Sequence, residues 1–347
     1  MTPSLTPLPR GLGDGFTVAQ ARQAGVSARR VRHLSLERPF RGVRMVSAAP
    51  PPIPAHDESA IRQEAAALTV EITRVARAFA LVAPDGSFFS HVTAAVLWNL
   101  PVPIRLLRAT VRETRSNGHL VPARGIDVAT LGRRRSSKAA GVRGRQISAN
   151  HVIVSSVDGL PVSSPASTWA MLAAELTVDE LVEMGDAIVY IPRKRGMKRG
   201  TEDDALGTIA DLMAAASTPR RAHRDRLLQA GPLVRVGSAS PAETRGRLGF
   251  ERAGLPTPEL DYDVIAADGT AIGFTEFAFV EFALLVECEG DHHRTDRTQW
   301  YRDIDKHAAC EDAGWRVLRL TSKHLYPTTG PAVERVRTAL IRAGWHA

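Results

Sequence analysis

The run ECEGDHH, at residues 287–293, ends the apolar segment of residues 283–286 with acidic and histidine side chains. A short apolar segment of this kind is typical of a buried strand. Burial of one unpaired carboxylate is costly, and burial of two close together costs more because each charge disfavours ionisation of the other. A bound cation would offset this cost, so the run predicts a cation site at the end of the strand.

Strand geometry determines which of these side chains meet. Successive side chains of a strand alternate between its faces, so Glu287 and Glu289 share one face. The preceding predicted strand pairs back on this one and brings Glu276 roughly opposite Glu287. Carboxylate oxygens are ligands that suit Mg²⁺ or Mn²⁺, so these three glutamates are the predicted metal ligands. His292 and His293 lie just past the strand, where a histidine can move a proton to or from a reacting oxygen.

An exposed edge strand that ends in charged residues is the alternative interpretation of the same run. Edge strands often carry charges because charges prevent pairing with another chain. The apolar stretch FALLV, at residues 282–286, argues against a fully exposed edge. The metal site is therefore the favoured prediction.

The elements around this run predict a small mixed sheet covered by helices. Ser240 and Glu243 form a capping-box pattern around Pro241, which starts a helix. Strands are predicted at residues 260–265, 272–279 and 282–289, followed by a helix ending at residue 313, a strand at 315–321 and a helix at 332–343. This order of helix, three strands, helix, strand and helix predicts an α/β domain.

Residues 16–46 predict a winged helix-turn-helix. Thr17 and Gln20 form a capping box for a first helix, and Ser27 caps a second helix over residues 28–37. Val31 and Leu34 are spaced to face the first helix, and residues 40–46 predict a hairpin centred on Gly42. The basic side chains left outside would contact nucleic acid: Arg29, Arg30, Arg32, His33, Arg41 and Arg44. A compact helical module that contacts protein is the alternative.

The remaining chain predicts a multidomain α+β and α/β protein. A Pro-rich hinge at residues 48–57 precedes a long helix over residues 58–79 and a short helix over residues 91–97 that Ser90 caps. Strands are predicted near residues 107–112, 125–130 and 151–155, without a catalytic constellation. The predicted domains are a winged helix-turn-helix, an α/β middle domain, a charged helical connector and a restriction-endonuclease-like mixed sheet flanked by helices: residues 1–48, 58–195, 196–230 and 231–347.

Composition is that of an ordinary soluble globular protein, with 44% hydrophobic and 24% charged residues. The net charge of +8 over 347 residues favours a polyanionic partner. No apolar stretch reaches the length of about 18 residues that predicts a membrane span, and the N-terminus has no signal-peptide pattern, so a cytoplasmic location is expected. Two cysteines, Cys288 and Cys310, predict neither a disulfide framework nor a Cys-based zinc site.

The segment GFTEFAFVEFALLVECEGDHHRTDRTQWYRDIDKHAACEDAGWRVLRLT resembles a domain-of-unknown-function group related to the very-short-patch-repair (Vsr) endonucleases. That group belongs to the PD-(D/E)xK restriction-endonuclease-like superfamily. The resemblance covers residues 238 to about 326, and its most specific parts are the acidic run before GDHHRTD, the pair Arg302-Asp303 and the AGWRV of residues 313–317. The first 45 residues, with HVTAAVLWNLPVP and DGLPVSSPASTW, are similar to actinobacterial AbiEi-like abortive-infection antitoxins.

The resemblance implies a catalytic site composed of these side chains: Glu243, Glu276, Glu287, Glu289, His292, His293 and Asp303. In such a site the strand glutamates bind Mg²⁺ or Mn²⁺, the helix glutamate orients the attacking water, and the aspartate supports the ligands from a facing helix. This chain departs from the family by having glutamate where the family prefers aspartate, at positions 276 and 289. It also has no lysine at the lysine position of the superfamily motif.

A Mg²⁺-dependent DNA endonuclease, bound to DNA through its winged helix, is the function that the sequence predicts. The alternative is a non-catalytic DNA-binding antitoxin or transcriptional regulator with a degenerate nuclease fold. A third class is a protein-interaction module whose basicity is incidental. The expected partners are DNA and a cognate toxin or another protein, without a membrane.

Overall fold

The computed structural model describes residues 7–47, 58–114, 120–122, 125–194, 199–289 and 297–346. The chain forms two compact units, residues 1–172 and 173–347. The expected boundaries near residues 195 and 230 fall inside the second unit. The predicted Pro-rich hinge lies outside the described residues. None of the helices in the described ranges has both the length and the apolar character that a membrane span requires.

The first unit begins with a pair of short helices beside a three-stranded sheet. Its elements are β1 (Gly15–Thr17), α1 (Val18–Gln23), α2 (Ala28–Val31), β2 (Leu36–Glu37) and β3 (Val43–Val46). The predicted caps are confirmed, because the Thr17 hydroxyl accepts the Gln20 N–H and the Ser27 hydroxyl accepts the Arg30 N–H. The strands lie in the order β1-β3-β2, and both pairings are antiparallel.

Three predictions for this segment are wrong. The second helix ends at Val31 rather than near residue 37, because Leu36 is buried as part of β2. Leu34 does not face the first helix, since its side chain is 92% exposed. Residues 40–46 form no hairpin of their own, and β3 pairs with β1 and β2 instead.

The rest of the first unit is a long helix and a five-stranded sheet with short helices. Its elements are α3 (Glu58–Ala80), β4 (Ser87–Phe89), α4 (His91–Leu97), α5 (Ile104–Thr110), β5 (Arg112–Thr114), β6 (Leu120–Pro122), β7 (Ile126–Leu131), β8 (Val142–Ile147), β9 (Val154–Val157), β10 (Leu160–Ser163) and α6 (Pro165–Met171). The large sheet has the order β8-β7-β4-β10-β9, and β5 pairs with β6. Phe40, Phe79 and Phe89 share one core, which joins the N-terminal elements to this sheet.

The prediction of a strand near residues 107–112 is wrong, because most of these residues belong to α5. Pro103 precedes a sequence of good helix formers, and Leu106, Leu107 and Thr110 are buried. Their spacing places them on one face of a helix rather than on one face of a strand. Helical packing therefore decides the structure of this short apolar stretch.

The second unit starts with four helices: α7 (Val178–Val189), α8 (Ile209–Ser217), α9 (Arg224–Ala230) and α10 (Pro241–Arg252). A buried ion pair joins α7 to α10, with Arg247 Nη2 at 2.8 Å from Asp186 Oδ2. The Thr244 hydroxyl and the Arg235 backbone N–H also donate to this aspartate, each at 2.8 Å. These donors provide hydrogen bonds to both oxygens of the buried carboxylate. They fix α10 against α7, next to the sheet that follows in the chain.

A four-stranded sheet follows, with helices on both faces. Its elements are β11 (Glu259–Ile265), β12 (Ala271–Phe279), β13 (Leu284–Glu289), α11 (Arg297–Asp312), β14 (Arg316–Thr321), α12 (Ser322–Leu325) and α13 (Gly330–Arg342). The strand order is β11-β12-β13-β14, in which the first two pairings are antiparallel and β13 with β14 is parallel. The predicted order of helix, three strands, helix, strand and helix is confirmed.

Alternation along the strands gives this sheet two different cores. Phe277, Phe279, Leu284, Val286 and Leu320 belong to one core with residues of α10, α12 and α13. Ala278 and Leu285 belong to a second core with Cys310 of α11. Side chains on the same face as Ala278 and Leu285 therefore point toward α11.

Candidate active site

Glu276 and Glu287 lie side by side on adjacent strands. The last register pair of β12 and β13 at this end is Phe277 with Val286, so the two glutamates occupy the next opposed positions. Both alternate with residues of the Phe277 core, and both therefore lie on the α11 face of the sheet. The prediction that Glu276 lies opposite Glu287 is therefore confirmed.

Two side chains of α11 hold Glu287. Lys306 Nζ donates to Glu287 Oε1, and His307 Nε2 lies 2.9 Å from Glu287 Oε2. Burial opposes ionisation of this carboxyl, yet Lys306 and His307 hold its pKa below the usual range. Glu287 is therefore an ionised carboxylate whose two oxygens are fixed in position by one helix.

Glu276 differs from Glu287 although it lies next to it. Its Oε2 is buried and has no hydrogen-bond partner among the described residues. Burial is the main cause that raises the pKa of Glu276 to about 7. The nearby charges of Glu243 and Glu287 contribute to this rise, and Lys306 opposes it. A buried oxygen without a donor is unusual in a native structure and requires an explanation.

Glu243 lies in the first turn of α10, near enough to Glu276 for its charge to raise the pKa of that carboxyl. Its oxygens accept hydrogen bonds from the Ala239 N–H and the Ser240 hydroxyl, each at 2.7 Å. The predicted helix start is confirmed, with Ser240 as the cap and Pro241 in the first turn. Burial raises the pKa of Glu243 to about 7 even though both hydrogen bonds lower it.

The other predicted site residues fall where the structure does not describe side chains. His292 and His293 lie outside the described residues. Glu289 is the last residue of β13 and Asp303 lies within α11, but their side chains are outside the described part. Within the described residues, no group of three or more His, Cys, Asp or Glu side chains has the arrangement of a metal site.

Sequence reasoning missed Lys306 and His307. The signal was available in α11, because Lys306 lies one helical turn before Cys310, which is buried against the sheet. Residues four apart lie on the same helix face, so this lysine points toward the sheet as well. The side chain of Lys306 also lies over Phe274 of β12, with Nζ 5.7 Å from the ring centroid.

Glu243, Glu276 and Glu287 fit a divalent cation in their chemistry. Each ionised carboxylate oxygen has two acceptor positions, so the hydrogen bonds to Glu243 and Glu287 leave acceptor capacity. The unpartnered Glu276 Oε2 lies close enough to the other two carboxylates for their charges to raise its pKa. Carboxylate oxygens are hard donors of the kind that Mg²⁺ or Mn²⁺ prefers.

The six basic residues predicted to bind nucleic acid divide into two groups. Arg29, Arg32 and Arg41 are exposed. The others are half-buried and hold the local fold: Arg30 Nη1 donates to the Ser35 hydroxyl at 3.0 Å, the His33 ring accepts the Ser35 N–H at 3.1 Å, and Arg44 Nε donates to the Val31 carbonyl at 2.9 Å.

Comparison with known proteins found no matching family model, no matching curated protein and no matching solved structure. The resemblances to the Vsr-related group and to the AbiEi-like antitoxins therefore stay predictions.

Proposed function

We propose that this protein is a divalent-cation-dependent phosphodiesterase that acts on DNA, with its site at Glu243, Glu276 and Glu287. The observation that carries the proposal is the buried Glu276 Oε2, which has no hydrogen-bond partner among the described residues. Its neighbours are carboxylates whose charges disfavour its ionisation, and a bound cation would offset this cost and supply the missing partner. Mg²⁺ or Mn²⁺ is the proposed cation.

The chain's own residues would position the reaction. A bound cation would screen the negative charge that develops on the phosphate. Lys306 and His307 fix the Glu287 carboxylate, and the Lys306 ammonium adds positive charge where an anionic phosphate would approach. Glu243, with a pKa raised to about 7, is suited to accept a proton from the attacking water near neutral pH.

Hydrolysis adds this water across one ester bond of the phosphate. The water oxygen forms a bond to phosphorus, and the bond from phosphorus to the leaving oxygen breaks. The water proton passes to the Glu243 carboxylate, and the leaving oxygen takes up a proton from solvent. No oxidant or further reactant is required.

The finer fold belongs to the same proposal. The order α10, β11, β12, β13, α11, β14 is the order predicted for a restriction-endonuclease-like domain, and it supports that fold for the second unit. The helix pair and three-stranded sheet at residues 15–46 support a winged helix-turn-helix. The exposed Arg29, Arg32 and Arg41 would then supply contacts to phosphate.

Metal binding is the first test. Titration calorimetry with Mn²⁺ should give saturable binding to the wild type and a loss of at least tenfold in affinity for both Glu276→Gln and Glu287→Gln. Glu281→Gln is the matched control, since Glu281 is exposed in the turn between the same strands. Equal binding by all four proteins would contradict the proposal.

Strand cleavage is the second test. Supercoiled plasmid incubated with the wild type and Mg²⁺ or Mn²⁺ should be nicked, and EDTA or Glu287→Ala should abolish nicking. Lys306→Met should lower the nicking rate by about 10- to 100-fold, since it removes a positive charge from the site. A wild type that does not nick, or a Glu287→Ala variant that nicks equally, would refute the endonuclease.

A non-catalytic DNA-binding regulator is the second candidate function. It is favoured by one observation, that both oxygens of Glu287 already have partners in Lys306 and His307. This function predicts salt-dependent promoter binding that Arg29→Ala/Arg32→Ala removes and Glu287→Ala leaves unchanged. The Mn²⁺ titration separates the two candidates, because only the enzyme requires the cation.

A further inference from the structure

The outer edge of the second sheet contains a groove that the proposed active site does not use. The groove lies between β14 and α13 and has a volume of about 500 Å³. Its lining residues are Arg316, Val317, Leu318, Glu334, Arg335, Thr338, Ala339 and Arg342. Because alternation directs Arg316 and Leu318 to the α13 side, the groove opens on the face opposite to Glu276 and Glu287.

Three arginines give this groove a positive charge. Arg316, Arg335 and Arg342 are all exposed, and none has an ion pair or side-chain hydrogen bond among the described residues. Glu334 is the only acidic residue in the lining. Other arginines of the same unit behave differently: Arg252 pairs with Asp179, and Arg337 donates to the Ala253 carbonyl. Three free guanidinium groups around one groove are a surface that suits an anion.

The spacing of the arginines suits a chain of phosphates. Arg335 and Arg342 are seven residues apart on α13, which corresponds to two turns or about 10.5 Å along the helix. Arg316 faces them from the strand side of the groove. Successive phosphates of one strand can occupy the whole row, with a separate guanidinium for each phosphate.

The strand edge adds backbone donors to the groove. β14 is the last strand of its sheet within the described residues. The Arg316 N–H donates to the Ala283 carbonyl on the inner side at 2.8 Å. Since N–H directions alternate along a strand, N–H groups such as that of Val317 point away from β13, and outward N–H groups can donate to phosphate oxygens.

We propose that this groove binds the phosphate backbone of a nucleic-acid strand, as a contact separate from both the carboxylate site and the N-terminal arginines. The inference rests on the proposed action on DNA and adds a second part of its binding surface. In the parallel register of β13 and β14, Arg316 is beside Leu284 and Arg319 is beside Glu287. A strand that follows β14 out of the groove thus travels toward the level of the carboxylates.

The lining argues against a protein segment as the occupant. A peptide that added a strand to this edge would need pockets for its alternate side chains. The apolar lining consists of Val317, Leu318 and Ala339, of which the alanine is buried and the other two are half-buried. Four residues of the lining are exposed, and three of these are arginines. The whole chain has a net charge of +8.

The test is the binding of fluorescein-labelled single- and double-stranded oligonucleotides in EDTA, measured by anisotropy at several salt concentrations. Arg335→Ala/Arg342→Ala should weaken binding by roughly 10- to 30-fold at 0.15 M salt and reduce the salt slope by about 1.4 to 1.8, as expected for two lost phosphate contacts. Arg316→Ala, on the other wall, should weaken binding by about fivefold and provides an independent variant.

Arg220→Asn/Arg224→Ala is the matched control, since both residues are exposed, lie outside the groove and carry the same charge. Asparagine suits position 220 because Arg220 has a φ of 59°. Both pairs are compared in an Arg29→Ala/Arg32→Ala background, so that the first unit does not mask the loss. Circular dichroism and thermal unfolding establish that each variant is folded.

The proposal is overturned if the groove variants bind as the control does. It is also overturned if a polyglutamate peptide competes for the same arginines more strongly than the oligonucleotides do. The measurement needs no cation and no cleavage. If the wild type fails to nick plasmid but the groove variants bind oligonucleotides more weakly, the proposed groove stands and only the proposed catalysis is refuted.

Discussion

Glu276 combines burial, acidic neighbours and an oxygen without a partner. Its pKa of about 7 lies above its ordinary value of 4.5 because burial and the charge of Glu243 disfavour ionisation. The folded protein therefore holds a proton on this carboxyl in the range where the unfolded chain has released it. Stability falls as the pH rises from about 4.5 through 7, and the full loss is present above pH 7.

Glu276→Gln should remove this loss. In metal-free buffer we expect the variant to be more stable than the wild type by roughly 1–3 kcal/mol at pH 8 and no more stable at pH 4.5. The amide can also donate to the neighbouring carboxylates, which the ionised glutamate cannot do. Urea unfolding at both pH values measures the difference, with Glu281→Gln as the control. An advantage of equal size at both pH values would mean that ionisation of Glu276 is not the cause.

Added Mn²⁺ should make the wild type more stable than Glu276→Gln at pH 8, which reverses their order of stability in metal-free buffer. A ligand that binds only the folded state stabilises it by about 2.7 kcal/mol at a concentration of 100 times its Kd. At pH 8 the wild type should gain this stability, and Glu276→Gln should gain little because it lacks one ligand charge. Thermal unfolding with and without Mn²⁺ gives the comparison. An equal gain in both proteins would place the cation elsewhere.

At the scale of single elements, the buried link between α7 and α10 positions Glu243. Arg247 and Asp186 are 1–2% exposed at their side chains, and Thr244 and the Arg235 backbone complete the hydrogen bonding of the aspartate. Removal of one partner from a buried pair leaves an uncompensated charge, which is strongly destabilising. The exposed pair of Asp179 and Arg252 joins the same two helices and has no such consequence.

Asp186→Ala should therefore destabilise the protein by about 3–5 kcal/mol, whereas Asp179→Ala should cost less than about 1 kcal/mol. Chemical denaturation of the full chain, followed by circular dichroism, measures both. Similar losses for the two variants would mean that burial of the first pair does not determine its effect.

The elements also show how far the sequence predicts this fold. Ser240, Pro241 and Glu243 specify a helix start by local hydrogen bonding alone, and the strands around Phe277 and Val286 follow from alternation. The second helix near Leu34 was predicted too long because the burial of Leu36 in a sheet is a tertiary effect. Local patterns specify caps and strands, but they do not specify where a chain leaves one element for another.

The candidate site likewise has one part that the sequence predicts and one part that it does not. The opposition of Glu276 and Glu287 follows from hairpin pairing, which sequence spacing can predict. The contact of Lys306 and His307 with Glu287 depends on how α11 packs across the sheet, between residues about twenty positions apart. A contact of this kind requires the crossover between β13 and β14, and no short motif encodes it.

At the scale of the whole molecule, the chain has two units with separate internal contacts, residues 1–172 and 173–347. The Phe79 core lies in the first unit, and the two cores of the four-stranded sheet lie in the second. Each unit is within the usual size range of an independent domain. The candidate site belongs wholly to the second unit, since its residues are Glu243, Glu276, Glu287, Lys306 and His307.

A fragment of residues 173–347 should therefore fold alone and bind Mn²⁺ with the affinity of the full chain. Its thermal unfolding should be cooperative, and Glu287→Gln should weaken its Mn²⁺ binding as in the full chain. Calorimetry measures both properties. A fragment without a cooperative transition would mean that the second unit requires the first for its stability.

The alternation of β13 makes its length a chemical constraint. Odd-numbered Leu285 and Glu287 point toward α11, and even-numbered Leu284 and Val286 point into the phenylalanine core. Insertion of one residue into the turn at Val280–Phe282 that slipped the pairing by one position would exchange these two sets. The Glu287 carboxylate would then be buried in the apolar core, and an aliphatic side chain would contact Lys306. The turn can therefore change by two residues with far less damage than by one.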